Sequence, residues 1–354
     1  METIDILKKL ISFNTIKDEQ NKEMIQWIKQ YLKENGFECE EKGTNKKCLI
    51  ASIGKEPMLG FSGHLDTVNI ADGWESNPFE LKIEEGKAYG LGACDMKGGL
   101  SAFLKASINI DKSKLKNGLK LYFTFDEETD FEGIKTLTEQ KEKFPKCLII
   151  AEPTDMKPVI ATKGCVEVKV TFYGKSTHSS TPDLGKNAII EAHKFIQELL
   201  VFSDELRNEE NNIFSIPYTT VNIGKIEGGD SINKVPDKCV VMFDARTVYE
   251  KHNKKIAKNV ETISKKYDCK FEIGINILPK INYNNEMVSM VEELCNNKRT
   301  AENYVTEASF INDSEVIILG PGPNTSHQSN EHIEIQKLND MAKIYERIIE
   351  KYCY

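Results

Sequence analysis

The spacing of apolar positions in the first 160 residues predicts strands that alternate with helices. Apolar residues recur with helical periodicity over about 3–34, and short strands are predicted near 37–41 and 48–53. Beyond them, GGLSAFLKASINI is helical, and continuous apolar runs lie in MLGFSGHLDT, LKLYFTFDEE and KCLIIAEP. Continuous apolar strands separated by helices are typical of a parallel sheet covered on both faces. We therefore predict an α/β fold with a central, mostly parallel sheet flanked by helices.

The pattern changes after Cys165, where the strands alternate apolar and polar residues. The order strand, helix, strand, strand, helix, strand lies in CVEVKVTFYG, NAIIEAHKFIQELLVF, YTTVNIGKIEG, KCVVMFDART, HNKKIAKNVETISKKY and CKFEIGINI. This βαββαβ order is that of a ferredoxin-like α+β domain, and the alternation predicts one solvated face. The earlier pattern returns after Pro279. We therefore predict a catalytic domain of residues 1–162 and 280–354, interrupted by an inserted domain of residues 163–279.

Composition narrows the functional classes. The chain has 354 residues, which favours two domains, and its net charge of -8 without a basic block argues against a nucleic-acid partner. No apolar run approaches the ~18 residues of a membrane span, and METIDILKKLIS lacks the apolar core of a signal peptide. We expect a cytoplasmic protein without a membrane partner. Nine cysteines without a CxxC pair predict reduced thiols rather than a disulfide framework.

Five residues of metal-binding type lie in segments that follow apolar strands or contain glycine. They are His64 in GFSGHLDT, Asp95 in YGLGACDMKGG, Glu128 in FTFDEET, Glu152 in LIIAEPT and His327 in GPGPNTSHQSNE. Two imidazoles and three carboxylates form a mixed N/O set that suits zinc and its neighbours. A further acid, Glu127, precedes Glu128 and is available as a base. The set predicts metal-assisted hydrolysis.

Each motif alone has a less specific interpretation. His64 and Asp66 form an HxD pair of a kind that is commonly structural, and an acidic run such as DEET is commonly a solvated surface. The glycine-rich segment before Asp95 fits neither the GxGxxG nor the GxxxxGK[ST] phosphate loop. No histidine motif supports Cys94 as a nucleophile. His178 in GKSTHSS fits an ordinary turn residue, and the segment is not the GxSxG of a serine hydrolase.

Two residues of the inserted domain stay ambiguous on their own. Asn233 follows a glycine pair in GGDSIN, and Arg246 is one of four arginines in the chain. An arginine binds a carboxylate in a bidentate manner that lysine does not offer. Arg246 is therefore a candidate for recognising a substrate carboxylate.

Taken together, the motifs resemble the M20 family of dinuclear metallohydrolases over nearly the whole chain. Those that occur in the family's order are GHLDTV, YGLGACDMKGG, DEE, AEPT, THSSTPDLGKNAI, GGDSIN and LGPGPNTSHQSNE. The resemblance implies two divalent metal ions, with zinc expected and cobalt as the alternative, and it implies that Asp95 bridges them. It further implies His64 and Glu152 at one ion, Glu128 and His327 at the other, Glu127 as general base, Asp66 as support for His64, and a cis peptide bond between Asp95 and Met96.

The resemblance also bears on partners and substrate. It implies a homodimer formed through the inserted domain, with His178 stabilising the oxyanion in the partner's active site. Asn233 and Arg246 match positions that contact polar groups of the substrate. Glu307 lies in TEASF, which is similar to a segment of acetylornithine deacetylases, although Ser309 replaces a proline. The implied reaction removes the acyl group of an N-acyl amino acid, most simply N-acetylornithine.

Three alternatives stay open. Succinyl-diaminopimelate desuccinylase activity and exopeptidase activity on short peptides would use the same chemistry with a different pocket. A metal-free binding protein on this fold belongs to another class, and loss of ligand residues would mark it. All five ligand positions and Glu127 are filled in this chain.

Overall fold

The computed structural model describes residues 1–16, 21–323 and 325–354 and divides the chain into two compact units. The first unit comprises Met1–Ile160, Asn282–Thr300 and Phe310–Tyr354, and the second comprises Ala161–Ile281 and Ala301–Ser309. Residues 301–309, which the sequence division places with the catalytic part, thus lie in the second unit. The assignment of catalytic and dimerisation roles to the two units stays a prediction.

Helices and strands alternate along most of the described chain. The helices are α1 (Thr3–Ile11), α2 (Asn21–Glu34), α3 (Lys97–Ile108), α4 (Glu132–Glu139), α5 (Ala188–Arg207), α6 (Glu250–Tyr267), α7 (Asn285–Cys295) and α8 (Ile335–Cys353). The strands are β1 (Glu38–Lys42), β2 (Cys48–Ile53), β3 (Pro57–His64), β4 (Lys82–Glu84), β5 (Lys87–Tyr89), β6 (Gly118–Thr124), β7 (Cys147–Ile150), β8 (Val159–Thr162), β9 (Gly164–Tyr173), β10 (Thr220–Gly228), β11 (Lys238–Thr247), β12 (Lys270–Ile277), β13 (Lys280–Ile281), β14 (Thr300–Glu302), β15 (Glu315–Ile318) and β16 (His332–Glu334). The single helix predicted over about 3–34 is therefore wrong, because α1 ends at Ile11 and α2 begins at Asn21; residues 17–20 lie outside the described chain.

The first unit is built on a sheet whose centre is parallel. Its strands run in the order β1, β2, β6, β3, β7, β15, β8. The four central strands from β6 to β15 pair in parallel, whereas β1, β2 and β8 are antiparallel to their neighbours. The predicted α/β fold class is confirmed, with antiparallel strands at the edges.

Buried aromatic residues join this sheet to two of its helices. Phe61 of β3 packs on Phe103 of α3 and on Tyr345 of α8, at ring-centroid distances of 5.8 and 4.8 Å. Phe123 of β6 lies 5.4 Å from Phe103, and all four side chains are fully buried. Each such burial contributes about 1.5–3 kcal/mol. The cluster fixes α3 on the sheet, and the loop before α3 contains Asp95.

The second unit contains the predicted ferredoxin-like arrangement. The elements β9, α5, β10, β11, α6 and β12 follow in βαββαβ order, and their antiparallel sheet has the strand order β10, β11, β9, β12. One face of the sheet and the inner sides of the two helices share a core of buried apolar residues that includes Val168, Phe172, Phe195, Phe243 and Ile256. The residues between them on β11 are more exposed, which matches the predicted solvated face.

Two further findings concern membrane-spanning helices and the state of the cysteines. None of the helices in the described part of the chain is both long and apolar enough to cross a lipid bilayer. All nine cysteines are free thiols, as the sequence predicts.

Candidate metal centre

Three neighbouring parallel strands of the first unit end at the predicted ligands. His64 is the last residue of β3, Glu127 and Glu128 follow the end of β6, and Glu152 follows the end of β7. The carboxyl ends of parallel strands lie at the same edge of a sheet. The side chains that follow β3, β6 and β7 therefore lie close together. Asp95 reaches the same place from the loop before α3, and His327 from the loop between β15 and β16.

Asp95 lies between two histidine–carboxylate pairs. Its Oδ1 is 3.1 Å from Nε2 of His64, which is 3.8 Å from Oε1 of Glu152. Its Oδ2 is 3.7 Å from Nε2 of His327, which is 3.0 Å from Oε2 of Glu128. Each oxygen of Asp95 therefore faces a different pair. This arrangement suits a carboxylate that bridges two cations.

The hydrogen bonding of His64 directs one ring nitrogen toward the carboxylates. Nδ1 lies 2.9 Å from the backbone oxygen of Asp66. Because a carbonyl oxygen only accepts, Nδ1 carries a proton and Nε2 faces Asp95. Burial alone would lower the pKa of His64, but Glu152, Asp66 and Asp95 raise that pKa well above its usual value. A cation among the carboxylates would take the place of the proton on Nε2.

Asp66 makes different contacts from those expected of it. Its carboxylate oxygen is 3.5 Å from Nδ1 of His64, so the backbone oxygen rather than the carboxylate is the close partner of the imidazole. The carboxylate instead accepts the N–H groups of Glu127 and Glu128, at 3.3 and 3.1 Å. Asp66 thus joins the end of β3 to the segment that contains the candidate base and a candidate ligand.

The electrostatics of the cluster favour the binding of a positive charge. Burial, together with the charges of Asp95, Glu127 and Glu128, raises the pKa of Glu152 well above its usual value, although His64 opposes this. Burial also raises the pKa of Glu128. Oε1 of Glu152 is buried and accepts no hydrogen bond from the residues that the structure describes. A buried carboxylate oxygen without a partner is costly, and a divalent cation would satisfy it.

The donor set also fits a metal of the zinc type. Donor atoms of His64, Asp95 and Glu128 lie within 4.8 Å of one another, and so do donor atoms of His64, Glu127 and Glu152. Imidazole nitrogen and carboxylate oxygen are the ligands of hydrolytic zinc sites. The residues present therefore fit two divalent ions, with Glu127 beside them.

Close packing at the start of α3 holds the Asp95 loop in place. A Cβ on Gly99 would lie 2.0 Å from the backbone oxygen of Ala151, next to Glu152, and one on Gly63 would lie 2.5 Å from Cε of Met96. Glycine at both positions lets the helix approach the ends of β3 and β7. The peptide bond between Asp95 and Met96 is cis, as the family resemblance implies.

Cys94 is unsuited to act as a nucleophile. Its thiol is buried and donates to the backbone oxygen of Pro323 at 2.7 Å. Burial raises the pKa of Cys94 to about 12, which leaves almost no thiolate at neutral pH. The chemistry of this centre is that of its carboxylates and histidines.

Sequence reasoning missed two buried charged residues beside the centre. Glu331, which is 2% exposed, accepts the N–H groups of Gly92, Cys94 and Asp95 at 2.8, 2.8 and 2.9 Å. Burial raises the pKa of Glu331 to about 7, although these donors oppose the shift. Lys97 is also buried, and its Nζ donates to the backbone oxygen of Phe13 at 3.0 Å. Glu331 lies four residues after His327, a predicted ligand, in a segment with few other charges. That position was the signal by which the sequence could have indicated a role for Glu331.

In the second unit the structure brings His178 and Asn233 together. His178 and Lys234 form an isolated β-bridge, and the N–H of Ser179 donates to the backbone oxygen of Asn233 at 3.0 Å. Nδ1 of His178 accepts the N–H of Ser180 at 3.2 Å, so a neutral imidazole has its proton on Nε2. His178 and Asn233 are both exposed. In this tautomer Nε2 of His178 is an N–H donor on an exposed ring, which is suited to a developing oxyanion.

Arg246 lies at the opposite end of the same sheet. It pairs with Cys165 at the start of β9, whereas His178 and Asn233 lie beyond the other end, where Tyr173 pairs with Lys238. The eight residue-to-residue steps from Cys165 to Tyr173 span about 27 Å at 3.3–3.4 Å per step. Nε of Arg246 donates to Oδ1 of Asp244 at 3.0 Å, and half-burial leaves part of the guanidinium accessible. Arg246 is therefore far from His178 within one copy of the second unit.

Glu307 differs from the other predicted substrate-binding residues because it is fully buried. It begins the short 3-10 helix Glu307–Phe310. Its accessibility is thus lower than that of His178, Asn233 or Arg246. Its role in substrate binding stays a prediction.

Comparison with known proteins adds relatives at the level of sequence and of fold. Residues 60–351 match peptidase family M20/M25/M40. Acetylornithine deacetylase of Buchnera aphidicola subsp. Acyrthosiphon pisum (strain Tuc7) is 32% identical over 373 residues, which cover 99% of this chain and 98% of the relative. Aminopeptidase PepT of Bacillus cereus superposes with a TM-score of 0.82 at 22% identity, covering 99% of this chain and 98% of that one. The YXEP protein of Bacillus subtilis, a dinuclear metal-binding peptidase, superposes with a TM-score of 0.72 at 14% identity, covering 98% of each chain.

Proposed function

This chain belongs to peptidase family M20/M25/M40, and from that premise we propose that it removes the acyl group from an N-acyl amino acid, with N-acetylornithine as the preferred substrate. The observation that carries the proposal is Asp95, whose two oxygens face two separate histidine–carboxylate pairs. The 32% identical relative is an acetylornithine deacetylase, and this favours deacetylation over the other reactions of the family.

The ligands would divide between two metal positions. His64 and Glu152 would hold one ion, Glu128 and His327 the other, and Asp95 would bridge them, with zinc expected and cobalt as the alternative. Bound ions of this kind lower the pKa of water and polarise a carbonyl oxygen. Five carboxylates, those of Asp66, Asp95, Glu127, Glu128 and Glu152, face only two imidazoles in this region, and two divalent ions would offset that excess.

Glu127 is the candidate general base. The N–H of Glu127 is held by the carboxylate of Asp66, and a carboxylate oxygen of Glu127 lies within 4.8 Å of donor atoms of His64 and Glu152. In that position the carboxylate accepts the proton of the attacking water and later delivers it to the leaving amine nitrogen. The products are a short carboxylate and a free amino acid. A positioned base of this kind contributes about 10²–10⁴ to the rate.

The separation within the second unit supports a homodimer in which the substrate touches both copies. If His178, Asn233 and Arg246 all contact one small substrate, they come from different copies, since about 27 Å or more separates the first two from Arg246. Arg246 would bind the substrate carboxylate, and Nε2 of His178 of the other copy would stabilise the oxyanion. A single donor of this type is worth about 10²–10³ in rate.

A surface for the second copy is present on the second unit. Within the described chain β10 is an edge strand of its sheet, and its residue Ile226 is 53% exposed. On α5, which packs beside β10, Ile190 and Val201 are 52% and 62% exposed and lie three turns apart on one side. An unpaired edge beside exposed apolar side chains is suited to pair with an identical surface. We propose that this surface is the dimer interface.

Exopeptidase activity is the second candidate. The guanidinium of Arg246 would bind the terminal carboxylate of a short peptide as readily as that of an amino acid. The aminopeptidase and the dinuclear peptidase named above share the fold at 22% and 14% identity. A metal-free binding role is disfavoured because every ligand position is filled and the carboxylates converge.

A hydrolysis panel tests the proposal. Protein stripped with a chelator and reloaded with zinc or cobalt would be assayed on N-acetylornithine, N-succinyl-diaminopimelate, other acyl amino acids and dipeptides. We expect the highest kcat/KM on N-acetylornithine and loss of activity in the stripped protein. A higher kcat/KM on dipeptides would establish the exopeptidase alternative. Activity that persists without metal would contradict the proposed centre.

A further inference from the structure

Glu331 is a buried carboxylate that takes no part in the steps above. Its Oε1 accepts the N–H groups of Cys94 and Asp95, and its Oε2 accepts that of Gly92. The backbone oxygen of Glu331 accepts a fourth N–H, from Gly90, at 3.1 Å. One residue therefore holds four backbone donors of the segment that ends at Asp95.

These donors depend on Glu331 because their segment is irregular and buried. Residues 90–94 are buried and lie between β5 and α3, outside any helix or strand. A buried N–H without a partner costs about 1–3 kcal/mol, and bonds to a carboxylate are stronger than those between neutral groups. The donor nearest the metal centre is the N–H of Asp95 itself. The carboxylate of Glu331 thus fixes the backbone from which the bridging carboxylate extends.

The same residue is linked to the second ligand loop. Glu331 lies four residues after His327, and His332, directly after it, pairs with Tyr89 in the β5–β16 ladder. That ladder places the segment of Asp95 beside the segment of His327. His327 itself is exposed and has φ +62, so its side chain gains little support from a buried neighbourhood. The hydrogen bonds of Glu331 tie the end of this loop to the segment of Asp95.

We propose that Glu331 is a positioning residue that sets Asp95 and His327 relative to each other, so that the second metal position forms only when its three hydrogen bonds are intact. The inference rests on the proposed dinuclear centre. Glu331 acts through the backbone of Asp95 and is not itself a ligand, since both of its oxygens are occupied by N–H donors.

The test is a cobalt titration followed by absorption, on the full-length Glu331→Gln variant. The glutamine keeps the size of the side chain and one accepting oxygen, but its amide nitrogen faces an N–H donor. We expect the second equivalent of Co(II) to bind about 10–100-fold more weakly than in the wild type, as for other residues that orient ligands. Glu334→Gln is the matched control, because Glu334 is partly exposed and its carboxylate pairs with Lys337 at 3.1 Å on the surface. The control should bind both equivalents as the wild type does.

A role confined to folding predicts a different result. It would lower the Tm of the metal-free variant and leave the Co(II) affinity of the folded protein unchanged. Glu331→Asp, which keeps the charge on a shorter side chain, should bind the second ion with intermediate affinity, and it decides the question if the glutamine variant does not fold. Wild-type affinity for both ions in these variants would overturn the positioning role alone. Failure of the wild type to bind two ions would overturn the dinuclear centre and the inference together.

Discussion

The two units of this chain differ in how they arrange their candidate functional residues, which converge in the first unit and lie far apart in the second. In the first unit, residues from five separate segments converge, and donor atoms of His64, Asp95 and Glu128 lie within 4.8 Å of one another. In the second unit, His178 and Asn233 lie at one end of a sheet and Arg246 at the other. The first arrangement is complete within one copy of the chain. The second becomes a single site only if another copy supplies part of it.

This contrast shows that a buried cluster of carboxylates has a free-energy cost that an exposed set of residues does not have. Burial and the charges of neighbouring carboxylates raise the pKa values of Glu128 and Glu152, so it costs free energy to keep both ionised in this cluster. A divalent cation bound there would offset this cost. The exposed residues of the second unit have no such cost, so nothing forces them to converge. Their function depends on what covers them.

The largest effect is expected when the candidate general base of the first unit is replaced. Glu127→Gln should lower kcat by about 10²–10⁴ while both metal ions stay bound, because the amide removes a base and leaves the ligands in place. Glu128→Gln should instead weaken one metal position. Metal content after dialysis separates the two variants. Equal metal loss in both would contradict this division of roles.

The next effect addresses the second unit. His178→Ala should lower kcat by about 10²–10³ without metal loss, because one donor to the oxyanion disappears. Equal mixing of His178→Ala and Glu127→Gln chains should restore roughly a quarter of the wild-type activity, since each mixed dimer has one intact site. A monomer with full specific activity, measured by sedimentation and assay at the same concentration, would end the idea of a shared site.

A smaller effect tests whether packing alone shapes the metal centre. In Gly98→Val the new Cβ would lie 2.5 Å from the backbone oxygen of Ala93 and 2.8 Å from Cδ1 of Ile333, so the Asp95 segment must shift. We expect metal affinity to fall about 10–100-fold although no ligand changes. Gly274→Val is the control, because a Cβ there meets nothing within 4 Å. Unchanged affinity in the Gly98 variant would show that the loop tolerates displacement.

The smallest effect concerns substrate recognition. Arg246→Lys keeps the charge but replaces a planar fork with a single ammonium group, which binds a carboxylate less specifically. We expect KM to rise roughly tenfold, or about 1.4 kcal/mol, with little change in kcat. Steady-state kinetics on N-acetylornithine measures the change. A fall in kcat at constant KM would place Arg246 in the chemical step instead.

Sequence reasoning predicts the features that depend on local pattern. The alternating strands after Cys165 indicate the βαββαβ unit, and the apolar runs before His64, Glu127 and Glu152 indicate strands whose ends meet. The family that these motifs resemble is confirmed. The roles of the individual site residues stay predictions.

Contacts between distant segments escape the same reasoning. Glu331 and Gly92 are 239 residues apart, and nothing near either residue indicates that they meet. The carboxylate of Asp66, which the family resemblance implies as support for His64, also accepts the amide N–H groups of Glu127 and Glu128, because the loop after β6 approaches it from another strand. A short motif shows which groups are available, whereas the partners of those groups depend on the whole sheet.

The pairing of β15 with β7 has a consequence for how the protein is made. The two strands are separated by the chain from residue 151 to residue 314, and the whole stretch Ala161–Ile281 leaves the ribosome between them. Domains tend to fold in the order of their synthesis, at about 5–20 residues per second. The second unit therefore has its main βαββαβ segment available to fold while the first still lacks β15, His327 and α8. Until His327 has been synthesised, the nascent chain contains all three predicted ligand carboxylates, Asp95, Glu128 and Glu152, without the second predicted ligand histidine.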